Sequence, residues 1–217
     1  MSQKSDLLSH ASPKIGGLLL AGGRGRRFDP TGQQQKLLAR LPGRETLITT
    51  SARRLLPWVD TLTVVVGVHS AGLVRELAGM AIEVLVCPDA DLGPGATLRH
   101  GLFRASASDT GVKGYLIGLA DMPYISPQTY QRMRDCLIEG ISRDKAGIWR
   151  PTFNASPGHP VAVSAALVER YLAIKTRDFE PAKGLASLWG HDRSVLREIP
   201  VDDAGCVMDI DRPQDLV

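Results

Sequence analysis

Short apolar runs alternate with segments of helical spacing along the first two thirds of the chain. The runs are continuous rather than alternating, which is typical of strands covered on both faces; they are Ile15–Leu20, Leu62–Val66, Ile82–Cys87 and Tyr115–Leu119. Between them, apolar residues recur at helical spacing and predict helices over Thr46–Leu56, Ala71–Leu77, Ala96–Ala107 and Pro127–Ile138. This alternation predicts an α/β fold with an open, mostly parallel sheet, whose ligands bind outside the carboxyl ends of the strands.

The pattern loosens after about residue 140. Strands are predicted at Trp149–Phe153, Val161–Val163 and Val195–Ile199, and helical pieces at Leu167–Leu172 and Leu185–Trp189. Because no linker or repeat sets this part apart, we interpret it as an extension of one sheet. Residues 1–13 are polar and are expected to form a flexible lead-in, which leaves a single domain over residues 14–217.

Composition excludes several classes of protein. The net charge of +3 is too small to predict a nucleic-acid groove or a membrane-surface patch. The three cysteines, Cys87, Cys136 and Cys206, form no CxxC pair, which argues against a disulfide scaffold and a zinc site. No apolar run approaches the roughly 18 residues that a membrane span needs. We therefore expect a cytoplasmic protein without nucleic-acid or membrane partners.

The loop after the first predicted strand is rich in glycine and arginine. Glycine lets backbone N–H groups approach an anion closely, and guanidinium groups add forked donors, so this loop is suited to cradle a phosphate. It matches neither the dinucleotide fingerprint nor the P-loop. The residues alone leave open a glycine-rich turn with solvated arginines. The loop consists of Leu20, Ala21, Gly22, Gly23, Arg24, Gly25, Arg26, Arg27 and Phe28, with Lys36 a few residues further on.

Acidic residues follow the fourth predicted strand and recur near the end of the chain. Asp121 stands at the carboxyl edge of that strand, where it suits Mg²⁺, a hard cation that takes oxygen ligands; a cap or Asx turn before Pro123 is the alternative. Asp209 and Asp211 share one face of an extended segment and would complete the site if that segment folds back over the sheet. We predict a metal ligand at Asp209, and at Asp211 a helix N-terminal cap, because Pro213 follows it.

A histidine stands in a stiff loop before a late apolar run. His159 lies between Gly158 and Pro160, so it is placed to orient a substrate. A structural role in the turn is the alternative, since no nearby residue supplies the partner of a nucleophilic triad.

Taken in order, these motifs resemble those of the nucleotidyltransferases of molybdenum cofactor maturation, the family that attaches CMP or GMP to molybdopterin. The resemblance spans nearly the whole chain, and several motifs in order are far more specific than any one of them. It rests on Leu20–Phe28, Lys36-Leu37-Leu38-Ala39, Gly95-Ala96-Thr97-Leu98-Arg99, Leu119-Ala120-Asp121-Met122-Pro123, Gly158-His159-Pro160-Val161 and Asp209-Ile210-Asp211-Arg212-Pro213.

The resemblance implies a Rossmann-like, three-layer fold of the nucleotide-diphospho-sugar transferase kind. It implies an enzyme that moves CMP, or GMP, from the triphosphate onto the terminal phosphate of molybdopterin and releases pyrophosphate. Arg27, Lys36 and Asp121 are then the expected catalytic residues, Asp121 and Asp209 the Mg²⁺ ligands, and His159 a substrate contact. The expected nucleotide-binding residues are Leu20, Ala21, Gly22, Gly23, Arg24, Gly25, Arg27, Lys36 and Thr97.

The chain departs from the family pattern at three places. Asp29 replaces a usual glycine, Ala96-Thr97 replaces a serine-rich stretch, and Glu180–Ser187 replaces the substrate-side Gly-Asp-x-Gly-Ala-Arg motif. The signals for the base conflict, because the opening loop resembles the guanylyl branch and the Gly-His-Pro-Val and Asp-Ile-Asp stretches resemble the cytidylyl branch. We favour CTP, since two separate stretches support it.

Two alternatives to this function remain open. One is a nucleotidyltransferase that acts on a different sugar or alcohol phosphate, and the other is a non-catalytic, cofactor-binding chaperone of a molybdenum hydroxylase. The joint presence of Arg27, Lys36, Asp121 and Asp209 favours the enzyme. The resemblance also implies a molybdenum hydroxylase, or its chaperone, as the partner that receives the product.

Overall fold

The computed structural model describes residues 12–43, 45–108, 111–189 and 192–216. Most of the predicted lead-in, residues 1–11, lies outside the described residues. The strands are β1 (Ile15–Ala21), β2 (Thr61–Gly67), β3 (Glu83–Cys87), β4 (Gly114–Leu119), β5 (Ile148–Phe153), β6 (Ser156–Pro157), β7 (Val161–Ser164) and β8 (Leu196–Pro200). The α-helices are α1 (Leu47–Leu55), α2 (Ala71–Glu76), α3 (Pro94–Ser108), α4 (Pro127–Ser142), α5 (Ala165–Leu172) and α6 (Ala186–Trp189).

All of these strands join one sheet in the order β3-β2-β1-β4-β7-β5-β6, and β8 pairs with β5. Neighbouring strands run parallel from β3 to β4, while β7 is antiparallel to both β4 and β5. The predicted open, mostly parallel sheet is confirmed, and the later strands extend it as expected. The carboxyl ends of β1, β2, β3 and β4 therefore lie along the same edge of the sheet, which we call the carboxyl edge.

The sheet is covered by helices on both faces, which explains its continuous apolar runs. Adjacent β1 residues Leu18 and Leu19 are both fully buried, and they belong to different core clusters. One cluster includes side chains of α1, α2 and α4, and the other includes side chains of α3, α5 and α6. The fold is thus the three-layer α/β arrangement that the sequence predicts.

Local capping places the helix starts close to the predicted positions. The Thr46 side chain accepts from the Thr49 N–H at the start of α1, and the Ser126 side chain accepts from the Thr129 N–H at the start of α4. Pro127 occupies the first turn of α4, which continues to Ser142 rather than ending at Ile138. No helix among the residues described is both long and apolar enough to cross a membrane.

Candidate nucleotide and metal site

A cavity of about 580 Å³ opens at the carboxyl edge, between the loop after β1 and the start of α3. Every nucleotide-binding residue predicted from the sequence lines it, as does Asp121. The sequence did not single out Ala90, Asp91, Gly93 and Pro94, which also line the cavity. They follow β3, so the general expectation that ligands bind beyond strand ends would have found them.

The glycines after β1 serve different purposes. A Cβ on Gly22 would lie 2.4 Å from the Thr97 hydroxyl oxygen, so this glycine lets the loop approach α3 closely. Gly25 has a φ of +62°, which favours glycine, and its carbonyl accepts from the Phe28 and Asp29 N–H groups. Gly23 has no neighbouring atom within 4 Å of a Cβ position. Its backbone therefore remains accessible from the cavity.

An ion pair joins the two walls of the cavity. The Arg24 Nε donates to an Asp91 carboxylate oxygen at 2.5 Å, and its Nη2 donates to the other oxygen. This hydrogen bonding holds the pKa of Asp91 below its ordinary value. Both side chains are 46% exposed, so the pair is accessible to an incoming anion.

Lys36 stands where the glycine loop meets the acidic residues. Its side chain is only 10% exposed, and its Nζ lies 2.7 Å from Asp121 Oδ2 and 3.2 Å from Asp211 Oδ1. The exposed Arg27 guanidinium also pairs with Asp211. The three residues predicted to be catalytic are therefore brought together, with Asp211 linking two of them.

Three carboxylates converge beside this lysine. Asp121, Asp209 and Asp211 each offer one oxygen, and these oxygens lie within 4.8 Å of one another. The arrangement depends on the buried Ile210, whose N–H donates to the Asp121 carbonyl at 2.9 Å. Oxygen donors at this spacing fit a divalent cation such as Mg²⁺ or Mn²⁺.

The carboxylates differ in their environments. Partial desolvation of the Asp209 carboxylate, followed by the charge of Asp211, raises the pKa of Asp209. Burial also acts to raise the pKa of Asp211, but the hydrogen bond and charge of Lys36 outweigh it and hold that pKa below its ordinary value. Asp209 itself is exposed and does not line the cavity.

The prediction that Asp211 caps a helix is wrong. The short 3-10 helix Pro213–Asp215 has Arg212 as its N-cap residue. The Asp215 carboxylate accepts from the N–H groups of Asp211 and Arg212, at 3.0 and 2.7 Å. Because Asp215 supplies the cap, the Asp211 side chain turns to Lys36 and Arg27 instead.

His159 is not among the residues that line the cavity and lies two positions before the antiparallel strand β7. Its ring Nδ1 lies 3.4 Å from the Ile117 carbonyl oxygen, and its backbone N–H donates to the Cys206 carbonyl at 2.8 Å. Burial lowers its pKa, which favours the neutral imidazole. These contacts hold the ring in place, and its part in substrate binding stays a prediction.

The residues at the three departures from the family pattern make local contacts. The Asp29 carboxylate accepts from Thr31 and Gln34 within its own loop, so it does not join the three clustered carboxylates. Thr97 is buried against Gly22. Within the Glu180–Ser187 segment, the Pro181 carbonyl accepts from the Gly95 N–H at 2.6 Å. This segment therefore packs on the first turn of α3.

Comparison with known proteins adds independent findings. The model of a family described as "MobA-like NTP transferase domain" matches residues 17–195. None of the curated proteins matches the chain. The crystal structure of Rv0371c from Mycobacterium tuberculosis is 23% identical, with a TM-score of 0.75 over 94% of this chain and 96% of that one. A complex of Rv0371c with manganese is 22% identical, with a TM-score of 0.66 over 87% and 88%.

Two further structures share the fold. A nucleotidyl transferase from Methanothermobacter thermautotroptrophicus is 26% identical, with a TM-score of 0.72 over 93% of this chain and 94% of that one. The molybdopterin-guanine dinucleotide biosynthesis protein A from Archaeoglobus fulgidus is 16% identical, with a TM-score of 0.63 over 93% and 94%. These similarities extend along almost the full length of each chain.

Proposed function

Because this chain belongs to the family of MobA-like NTP transferase domains, we propose that it is a Mg²⁺-dependent transferase of CMP, or GMP, to molybdopterin. The terminal phosphate of the cofactor is the acceptor, and pyrophosphate is the leaving group. CTP is the favoured donor. The product would pass to a molybdenum hydroxylase or its chaperone.

One observation carries this proposal: at a single cavity the glycine and arginine loop meets Lys36, which contacts Asp121 and Asp211, and oxygens of these two carboxylates lie within 4.8 Å of an oxygen of Asp209. The loop supplies backbone N–H groups and guanidinium groups for a triphosphate. The carboxylates supply the oxygen ligands for a divalent cation. Both requirements of a nucleotidyl transfer are thus present within one site.

The reaction needs little covalent help from the protein. An oxygen of the acceptor phosphate attacks the α-phosphorus of the triphosphate in line, and the bond from that phosphorus to the pyrophosphate oxygen breaks. Lys36 and Arg27 bind the phosphates and stabilise the negative charge that develops there. Asp121 and Asp209 would hold the divalent cation, which would supply positive charge to neutralise the phosphates.

The acceptor is supported by the resemblance of the motifs and by the fold shared with a protein of molybdopterin-guanine dinucleotide biosynthesis. We propose His159 as the residue that contacts the acceptor. Other phosphate monoesters are the acceptors to compare with molybdopterin.

Calorimetry with CTP, GTP and ATP tests the proposal, with and without Mg²⁺. We expect one triphosphate to bind in a Mg²⁺-dependent manner, and Asp121→Ala to abolish that dependence, because a cation ligand is lost. Asp135→Ala is the matched control, since it removes an exposed carboxylate on α4. Pyrophosphate release on addition of molybdopterin, but not of a sugar phosphate, then identifies the acceptor.

If no triphosphate binds, the transferase proposal fails and a non-catalytic role is favoured. If a triphosphate binds but the addition of molybdopterin causes no release of pyrophosphate, the proposed nucleotidyl transfer is retained and a different acceptor is required.

A further inference from the structure

We propose that Lys36 is an internal counter-cation of the carboxylate cluster, which a divalent metal must displace before it can bind. This inference rests on the proposed function, because it concerns the same site. It adds an order to the binding events: the metal binds tightly only after a triphosphate has given the Lys36 ammonium group another anionic partner.

The geometry places Lys36 on the ligands that a metal needs. Its Nζ contacts oxygens of Asp121 and Asp211, two of the three carboxylates in the cluster. A metal ion bridging the same carboxylates would lie close to the ammonium group. Like charges repel strongly at such separations in a partly buried site, so the two cations compete.

Both the backbone and the side chain of Lys36 are restrained in this position. Its backbone begins the 3-10 helix Lys36–Leu38, and its Cβ lies against Gly25, where an added Cβ would approach to 2.8 Å. The side chain is almost fully buried, so its ammonium group has little contact with water. When it leaves the carboxylates, it therefore needs a new anionic partner within the cavity.

A triphosphate in the cavity supplies that partner. Lys36 lines the cavity together with Arg24 and Arg27, and all three cations are paired with carboxylates. Transfer of Lys36 and Arg27 to phosphate oxygens would free the oxygens of Asp121 and Asp211 for the metal. By thermodynamic linkage, metal and triphosphate then strengthen the binding of each other.

The test measures Mn²⁺ binding to the full chain without nucleotide, by the electron paramagnetic resonance signal of free Mn²⁺. We expect Lys36→Gln to bind Mn²⁺ at least about tenfold more tightly than the unaltered protein, because the competing charge is gone. Lys36→Arg keeps the charge and should bind Mn²⁺ as weakly as the unaltered protein. Lys145→Gln, which removes an exposed lysine after α4, controls for the change in net charge and should also leave the affinity unchanged.

A second measurement uses the unaltered protein and does not depend on how the variants fold. Acetic anhydride labels accessible amines, and mass spectrometry reports the extent at each lysine. We expect saturating Mn²⁺ to raise the labelling of Lys36 severalfold and to leave Lys145 unchanged.

Equal or weaker Mn²⁺ binding by Lys36→Gln, no binding by either protein, or bound Mn²⁺ without increased labelling of Lys36 would each overturn the inference. Calorimetry with the triphosphates reports the proposed function separately. A protein that displaces Lys36 on binding Mn²⁺ but binds no triphosphate would refute the transferase and retain the counter-cation.

Discussion

At the scale of single residues, neighbouring glycines of the loop after β1 are under different constraints. Gly22 packs on Thr97 so closely that a Cβ would collide with its hydroxyl, whereas a Cβ on Gly23 would meet no atom within 4 Å. We expect Gly22→Ala to destabilise the protein by about 1–3 kcal/mol, because the loop must move away from α3. Gly23→Ala is expected to leave stability unchanged.

Urea unfolding of both variants measures this difference, and calorimetry with the bound triphosphate measures its effect on the site. The displaced loop of Gly22→Ala should also weaken triphosphate binding. Similar stability of the two variants would show that the contact between Gly22 and Thr97 does not restrain the loop.

The sequence predicts a site residue when its immediate neighbours in the chain carry the signal, and it fails when the residue acts through a distant partner. Asp121 was recognisable because it directly follows a buried strand, and the glycine loop because it follows another. Asp211 was misassigned, because its local neighbours, including Pro213, favour a cap, and only the folded chain brings it to Lys36, 175 positions away. The position of Asp91 after β3 could have marked it as a cavity residue, but its pairing with Arg24, 67 positions away, has no local signal.

At the scale of elements, Asp203 connects α4 to the terminal segment that carries two of the carboxylates. Its Oδ2 accepts from the Ser126 N–H at 2.9 Å and from the Thr129 hydroxyl at 2.6 Å, while its Oδ1 accepts from the Gly205 N–H at 3.0 Å. We expect Asp203→Ala to cost about 1–3 kcal/mol of stability, because these partly buried donors lose their acceptor. Thermal unfolding checks this loss.

Asp202→Ala is the matched control, since Asp202 is the exposed neighbour in the chain. An equal effect of the two changes would mean that charge, rather than the hydrogen bonds to α4, accounts for the result.

The elements themselves were the most predictable level of the structure. Continuous apolar runs located the strands because both sheet faces are covered, and helical spacing of apolar residues located α1 and α4, at whose starts Thr46 is the cap and Pro127 lies in the first turn. The antiparallel placement of β7 between β4 and β5 was not predictable. It depends on the pairing of β7 with β4, from which α4 and β5 separate it along the chain, and this pairing leaves no local pattern.

At the scale of the whole molecule, the candidate site is assembled from distant parts of the chain and depends on the core beneath it. Ile210, between Asp209 and Asp211, is 1% exposed within the core cluster that contains α1 and α4 side chains. We expect Ile210→Ala to cost about 2–5 kcal/mol, because it leaves a cavity. It should also weaken Mn²⁺ binding, because both flanking carboxylates lose their anchor.

Leu167→Ala separates these two effects. Leu167 is fully buried in the other core cluster, on α5, and is not among the residues lining the cavity. It should therefore lower stability by a similar amount without changing Mn²⁺ affinity under conditions where both variants are folded. Equal losses of Mn²⁺ affinity in the two variants would mean that the carboxylates respond to global stability. A loss confined to Ile210→Ala would mean that this one buried side chain fixes the position of the terminal segment next to Asp121. The positions of the proposed metal ligands would then be determined by packing in the core.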